Sequence, residues 1–550
     1  MNFKDNESQD KLRGGYYTPH EIARFLSRWV LTEKPKTLLE PSCGDGAFIR
    51  ALEGLHKHTV SVTAVERLTE EATKAVVAAE GVKHIKANIV NDDFLSWAKG
   101  KLDAGATFDA VTGNPPYIRY QYLDPEDQKL SEDLFNRYDL PFTKHTNAWV
   151  PFVIACIGLL APGGRLAMVI PSEILHVLHA GSLRRFLLAQ ADRILMIDPN
   201  ELLFSEALQG TVLLMVQKKK HIGDTSQGVA ILAAPDNSFL QDDPEVQFNN
   251  STYVSGDVLN GKWMKVLLDP MELAVFEKIR RLPSIKKFSE VASVDVGIVT
   301  GANKFFLVRD EVVAEHGLEA YAQPMFGRSE HCTGVIYDDK MHAENRAKGL
   351  PCNFLMFGKT PETALSSSVR KYIKSGEAEN LHTRYKCRIR TPWYGVPSVY
   401  ATNLGMLKRA HNYPRLILNV AGAYTTDTAY RIKSLGTSPE ILVYCFINSL
   451  TALTAELEGR HYGGGVLELV PSEIEKLLVP VPTDLKPRLM TLDKVIRAGT
   501  SVETLLRDQD EHILKAAGLD DDERSLIRQA LLRVRNRRQR LLNGLVSASE

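Results

Sequence analysis

Phe108-Asp109-Ala110-Val111-Thr112-Gly113-Asn114-Pro115-Pro116-Tyr117 is the stretch on which the fold turns. Five residues of strand character run into a polar amide, a rigid proline pair and an aromatic ring. Open α/β sheets bind their ligands at the carboxyl ends of strands, which is where this pattern puts those groups. The amide oxygen of Asn114 and the backbone carbonyl of Pro115 can accept hydrogen bonds from one exocyclic amino group. Tyr117 can stack on the flat molecule that carries it. The stretch holds no evident nucleophile or general base, so it suits a planar NH2 group that attacks for itself.

Upstream, strand and helix patterns alternate, as expected of an α/β, doubly wound, mostly parallel sheet. Pro19 opens a helix over 20–31. Strands follow at 37–40, 60–66, 84–88 and 108–112, with helices from 47 and over 69–79. Beyond the key stretch, the apolar run 148–161 contains Pro151 and is shorter than the ~20 residues that span a bilayer, so it reads as a buried helix. Strands at 165–170, 194–198 and 211–217 complete the unit.

Three polar sites fall at the ends of the first three strands. Glu40-Pro41-Ser42-Cys43-Gly44-Asp45-Gly46-Ala47-Phe48 follows the first. Gly44 and Gly46 permit a tight turn and close backbone approach to a ligand. The loop lacks the Lys-Ser/Thr of a phosphate loop, and its opening acid favours a cation over a pyrophosphate. Glu66 closes the second strand, where a carboxylate ordinarily binds ribose hydroxyls. Asp92-Asp93-Phe94 follows the third, where either acid can accept from an adenine amino group while Phe94 covers the ring. Each alone is ordinarily a turn glycine or a solvated acid. Three in order, all preceding the Asn-Pro-Pro-Tyr run, point to one crevice.

Composition adds exclusions. In 550 residues, 67 Lys and Arg balance 67 Asp and Glu, so a basic surface must be local. That length implies two or three domains. Six scattered Cys without CxxC spacing argue against a zinc site or a disulfide framework and fit a reducing cytoplasm. No metal site is expected. The polar N-terminus does not read as a signal peptide.

The order Gly14-Gly15-Tyr16-Tyr17-Thr18-Pro19, then the 40–48 loop, then Asn-Pro-Pro-Tyr resembles the gamma class of N6-adenine DNA methyltransferases. The likeness continues through Gly163-Gly164-Arg165, Pro171-Ser172 and Leu203-Phe204-Ser205-Glu206-Ala207. It resumes at 295–306, which looks like the opening of the family's target-recognition domain, and at Lys386-Cys387-Arg388, Pro392-Trp393-Tyr394, Gly463-Gly464-Gly465 and Pro471. The resemblance implies a Rossmann-like catalytic domain over 1–220 and a mixed α+β recognition domain over 271–480, and it ends near residue 482. The turn-rich stretch 221–270 reads as linker and strands, and the tail 481–550 is helical in pattern.

It implies S-adenosylmethionine as cofactor, bound by Thr18, Glu40, Ser42, Gly44, Gly46, Glu66, Asp93, Phe94 and Asn114, with Asp92 the alternative acid. It assigns catalysis to Asn114, Pro115, Pro116 and Tyr117. The target base would stack on Tyr117 and Phe204, although a Phe in the position of Phe204 is as readily core. Thr300, Asn303, Lys304, Lys386 and Arg388 are the candidate DNA contacts, with Arg328, Arg390 and Arg415 weaker ones. The arginines at 533, 535, 537, 538 and 540 read as phosphate contacts or a solvated helix face, with phosphate contact favoured. Double-stranded DNA is the expected partner and a separate cognate restriction endonuclease a further one. The chain is expected to be a cytoplasmic monomer with no membrane association. Glutamine-amide methylation of a protein or RNA methylation would use the same acceptor pair. A nuclease fusion is disfavoured, because the pattern starts at about Gly14 and the tail shows no Pro-Asp…Glu-x-Lys array.

Overall fold

The computed structural model describes residues 17–199, 210–221, 223–259, 261–462 and 464–546, with side chains to residue 539. The chain forms two compact units, Met1–Leu267 and Leu268–Glu550.

An eight-stranded sheet builds the first unit. Its strands are β1 (Thr37–Glu40), β2 (Val60–Glu66), β3 (Ile85–Asn91), β4 (Phe108–Gly113), β5 (Leu160–Pro171), β6 (Ala191–Pro199), β7 (Thr211–Lys218) and β8 (Gly228–Ala234). Their spatial order is β3-β2-β1-β4-β5-β7-β6-β8. Strands β1 to β5 pair in parallel, while β7 runs antiparallel to both β5 and β6. The order reverses between β1 and β4. That is the switch point at which such sheets open a crevice.

The helices follow from their apolar spacing. In His20–Leu31, Ile22, Phe25, Leu26 and Trp29 share a buried face that packs on β4 and β5. Trp149–Leu159 is buried at every position except Gly158, so it is a core helix of the unit. Among the described residues no single helix is long and apolar enough to cross a membrane.

Two expected boundaries are corrected. The first unit runs to Leu267 and not to 220, because the turn-rich segment completes its sheet and core. Strand β8 pairs with β6 in parallel from Arg193↔Gly228 to Pro199↔Ala234. The helix Pro244–Asn250 sets Phe248 against Trp29 (4.6 Å), and its Glu245 takes both guanidinium nitrogens of buried Arg165 (2.6 and 3.0 Å). Likewise, the tail is no separate extension. Its helices Leu489–Arg497, Val502–Ala516 and Asp521–Val546 pack into the second unit.

That unit is mixed α+β. A five-stranded sheet carries Ala292–Val296, Ala429–Ser434, Leu404–Leu407, Leu416–Asn419 and Ile336–Tyr337 in that order. A separate aromatic core gathers Phe305, Phe306, Phe354, Phe357, Tyr372 and Tyr394.

Candidate active site

The loop after β1 is shaped by two left-handed glycines, Gly44 (φ 50°) and Gly46 (φ 86°). A Cβ on Gly46 would fall 2.8 Å from the Ala78 Cβ, so the helix Thr69–Glu80 packs there only against glycine. A Cβ on Gly44 would meet nothing within 4 Å, which leaves that side of the loop open. Glu66 pins the loop from β2. Its carboxylate accepts from the backbone N–H of Gly44 (2.9 Å) and of Leu68 (2.8 Å).

Glu40 is only 1% exposed, and its Oε2 is buried without a hydrogen-bond partner. Burial, and then the charges of Asp45 and Glu66, push its carboxyl well above the usual carboxylate range. A buried acid among acids keeps its proton unless a cation stabilises the charged form. The Cys43 thiol beside it is buried and pushed up by that burial, so it is not nucleophilic.

At the end of β3, half-buried Asp93 caps the helix Phe94–Asp103 by accepting from Ser96 N–H (2.9 Å). Burial raises its carboxyl above the ordinary value. Asp92 is exposed and accepts from Asp93 N–H (2.8 Å). Phe94 is buried against Phe152, with ring centroids 4.8 Å apart. Arg67, directly after Glu66, meets Asp127 (2.9 Å), Asp124 (3.4 Å) and Asp93 (3.9 Å). It thereby ties the ends of β2 and β3 to the segment after the Asn-Pro-Pro-Tyr run. Sequence reading misses this residue, because nothing local links it to acids some sixty positions on.

The Asn-Pro-Pro-Tyr run leaves β4 in contact with the β1 loop. A Cβ on Gly113 would lie 3.0 Å from Pro41 Cδ. The Ser42 hydroxyl donates to the Asn114 carbonyl (3.0 Å), and Asn114 Nδ2 donates to Thr18 Oγ1 (3.2 Å). Thr18, Ser42 and Asn114 thus form one polar chain, with Glu40 and the Gly44–Glu66 contact on the adjoining strand ends. The Tyr117 hydroxyl donates to the Val169 carbonyl on β5 (3.0 Å), and Ala148 N–H binds the Ile118 carbonyl (2.9 Å). The ring is therefore anchored at its polar tip. Phe204 and Gly14 to Tyr16 lie outside the described residues.

Residues 3–252 match the family model described as N-6 DNA Methylase. Residues 260–514 match that of the Type II methyltransferase M.Eco57I, C-terminal domain.

The first unit thus resembles the N-6 DNA methylases over nearly its whole length.

The chain is an adenine-specific DNA methyltransferase. The Type II methyltransferase M.AccI of Acinetobacter calcoaceticus is 25% identical over 483 residues, covering 84% of each chain. M.XamI of Xanthomonas campestris pv. amaranthicola is 21% identical over 475 residues and 85% of each. Among solved structures, the Type IIL restriction–modification enzyme MmeI in complex with DNA shares the fold at a TM-score of 0.55 and 12% identity, covering 98% of this chain and 77% of that one.

In the second unit of this methyltransferase, Lys304, Lys386 and Arg388 are exposed. Asn303 donates to Asp427 (3.1 Å). Thr300 is a correction. It is fully buried, and its hydroxyl bonds Asn303 Oδ1 and the Ala302 N–H, so it shapes the loop and presents no side chain to DNA. Arg390 is bound to the carbonyls of Val299 and Thr300, and Arg415 to those of Thr333 and Gly334. Arg328 pairs with Glu330.

The phosphate role favoured for the C-terminal arginines is also corrected at 533, 535 and 538, while the side chain of Arg540 lies outside the described residues. Arg533 pairs with Glu272 and Asp269, and Arg535 with Glu503. Arg538 is buried on both oxygens of Glu456 (2.6 and 2.8 Å). Taking Arg538 to a phosphate would strand a buried carboxylate, which is strongly unfavourable.

Proposed function

We propose that this methyltransferase moves the methyl group of S-adenosylmethionine to N6 of an adenine flipped out of duplex DNA, as the modification enzyme of a restriction–modification system. The observation that carries the reading is the Thr18–Asn114–Ser42 chain beside the buried carboxyl of Glu40, whose Oε2 has no hydrogen-bond partner. A cationic cofactor answers the buried acid, and the same chain of contacts sets the acceptor amide next to it.

The residues fit the cofactor. Glu40 would face its cationic end, Glu66 its ribose, and Asp93 with Phe94 its adenine. When bound, S-adenosylmethionine supplies an electrophilic methyl on a sulfonium leaving group. The protein's part is orientation and charge stabilisation. The N6 lone pair is delocalised into the ring, so the amine attacks only as it pyramidalises. Asn114, its amide nitrogen turned to Thr18, offers its oxygen to one amino proton, and the Pro115 carbonyl takes the other. Positive charge grows on N6 during attack, so both acceptors bind most strongly in the transition state. Pro116 keeps the run extended, and Tyr117 holds the ring face of the extrahelical base. The proton can leave to solvent after transfer.

Asn303, Lys304, Lys386 and Arg388 are proposed to contact DNA, with lysine and arginine on phosphates. The enzyme acts as a monomer in the cytoplasm, alongside a separate cognate endonuclease. Incubating the protein with duplex DNA and methyl-labelled S-adenosylmethionine, then separating the nucleosides, tests the reading. Label in N6-methyladenine is expected, and label only in protein or RNA refutes it.

A further inference from the structure

Two segments of the second unit, 299–303 and 384–390, are locked together. Arg390 donates to the carbonyls of Val299 and Thr300, both at 2.7 Å. A Cβ on Gly301 (φ 81°) would fall 2.8 Å from Lys386 Cβ, so the backbones touch only because that residue is glycine. Cys387 is fully buried in the aromatic core. The 385–389 turn is thereby held from behind.

Its outer side is largely exposed. Tyr385 and Ile389 are each 63% exposed. Lys386 Nζ stands 5.4 Å from the Tyr385 ring centroid, and Arg388 Cζ 5.6 Å. The run from 384 to 390 holds four basic residues and no acid, and exposed Lys304 directly follows the 299–303 segment that buttresses it. Single exposed apolar residues need no explanation. A tyrosine and an isoleucine on a buttressed turn, wrapped in cations, do. A protein partner would meet the apolar pair, but the exposed cations Arg384, Lys386 and Arg388 around it call for a polyanion with apolar faces between its charges. Duplex DNA is such a ligand.

We propose that Tyr385 and Ile389 form an apolar wedge that contacts the bases of duplex DNA, while Lys304, Lys386 and Arg388 hold the flanking phosphates. The proposal rests on the reading of this chain as a DNA methyltransferase. Apolar side chains pressed against base steps are an established way of gripping and kinking a duplex. The turn is already ordered, so little conformational entropy is lost on contact.

The test uses the full chain and a fluorescein-labelled duplex bearing a sequence that the wild type methylates. Tyr385→Ala is expected to weaken binding about tenfold to hundredfold, the range of base–aromatic stacking, and Ile389→Ala to weaken it further. The dependence of log K on log salt should stay the same, because no phosphate contact is lost. Lys386→Ala should instead reduce that slope by roughly 0.9, and Tyr385→Phe should bind as the wild type does. S-adenosylmethionine affinity and the melting temperature serve as folding controls and should not move. A Tyr385→Ala protein that binds DNA with undiminished affinity, beside a wild type that methylates duplex adenine, overturns the wedge alone. A wild type that binds no duplex DNA overturns the wedge and the functional reading together.

Discussion

Tyr117 offers the sharpest separation of roles, because its two ends do different things. The ring is proposed to stack on the target base, and the hydroxyl donates to Val169 at 3.0 Å. Tyr117→Phe keeps the ring and loses one hydrogen bond to the carbonyl of buried Val169. Such a bond contributes about 0.5–1.5 kcal/mol, so kcat/KM should fall about twofold to tenfold. Tyr117→Ala loses the bond and also the stacking, worth roughly 1–3 kcal/mol. The sum is about 1.5–4.5 kcal/mol, or roughly one to three decades. Tyr117→Trp should lie nearer Phe than Ala. The assay is initial-rate methyl transfer to a duplex carrying one site, with a parallel duplex in which 2-aminopurine replaces the target adenine. Wild type should brighten the probe on binding, and the Ala variant should brighten it less. Equal losses for Phe and Ala would refute the division, since the hydroxyl would then carry the whole effect. A Phe variant as active as wild type would show that the Val169 contact positions nothing.

Three further outcomes follow from the geometry. Thr18→Val removes the acceptor for Asn114 Nδ2 and should lower kcat by about twofold to tenfold, the worth of one hydrogen bond, with cofactor affinity less affected. An unchanged kcat would mean that Thr18 does not orient the amide. Glu40, whose carboxyl is held above the ordinary range by burial, should lose its proton when a cationic cofactor binds. S-adenosylmethionine affinity should therefore rise with pH, by up to about tenfold per unit between the two pKa values, and calorimetry in buffers of different ionisation heat should register proton release. Glu40→Gln should abolish both effects, and a wild type without proton release would contradict the assignment. In the second unit, burial pushes the Asp510 carboxyl up to about 6 from an ordinary 3.8. Its contribution to stability is present below about pH 4 and lost as pH rises through 6, on the order of 2–3 kcal/mol. Asp510→Asn, which still accepts from Ser449 N–H, should flatten that dependence in thermal melts from pH 4 to 7.

Much of the first unit was legible because its signals are local. The helix at 20–31 and the strands at 37–40 and 60–66 sit where spacing put them, and β4 extends its expected range by one residue. Sheet direction was less accessible. Strand β7 is buried almost throughout and reads like a parallel core strand, yet it runs antiparallel. The run Lys218-Lys219-Lys220 stands at the expected boundary at 220. Lys218 in fact caps the carbonyls of Ile157 and Leu160 (2.8 and 2.6 Å), and the chain continues into β8.

The polar residues of the crevice were found from their places at strand ends. Their couplings were not, because Arg67–Asp127 and Tyr117–Val169 are set by packing at long range. In the second unit, charge alone could not distinguish arginines that satisfy carbonyls from those left to meet a ligand. Arg390 and Arg388 are two positions apart, and only the first is bound to the 299–300 backbone.

The most direct test compares wild type with Asn114→Ala on duplex DNA, with methyl-labelled S-adenosylmethionine and mass spectrometry of the separated nucleosides. Wild type should yield N6-methyladenine. The variant should bind cofactor within a modest factor of wild type while its methyl transfer falls by orders of magnitude, because the lost acceptor works in the transition state. N4-methylcytosine as the only product, or a variant that turns over at the wild-type rate, would contradict the account.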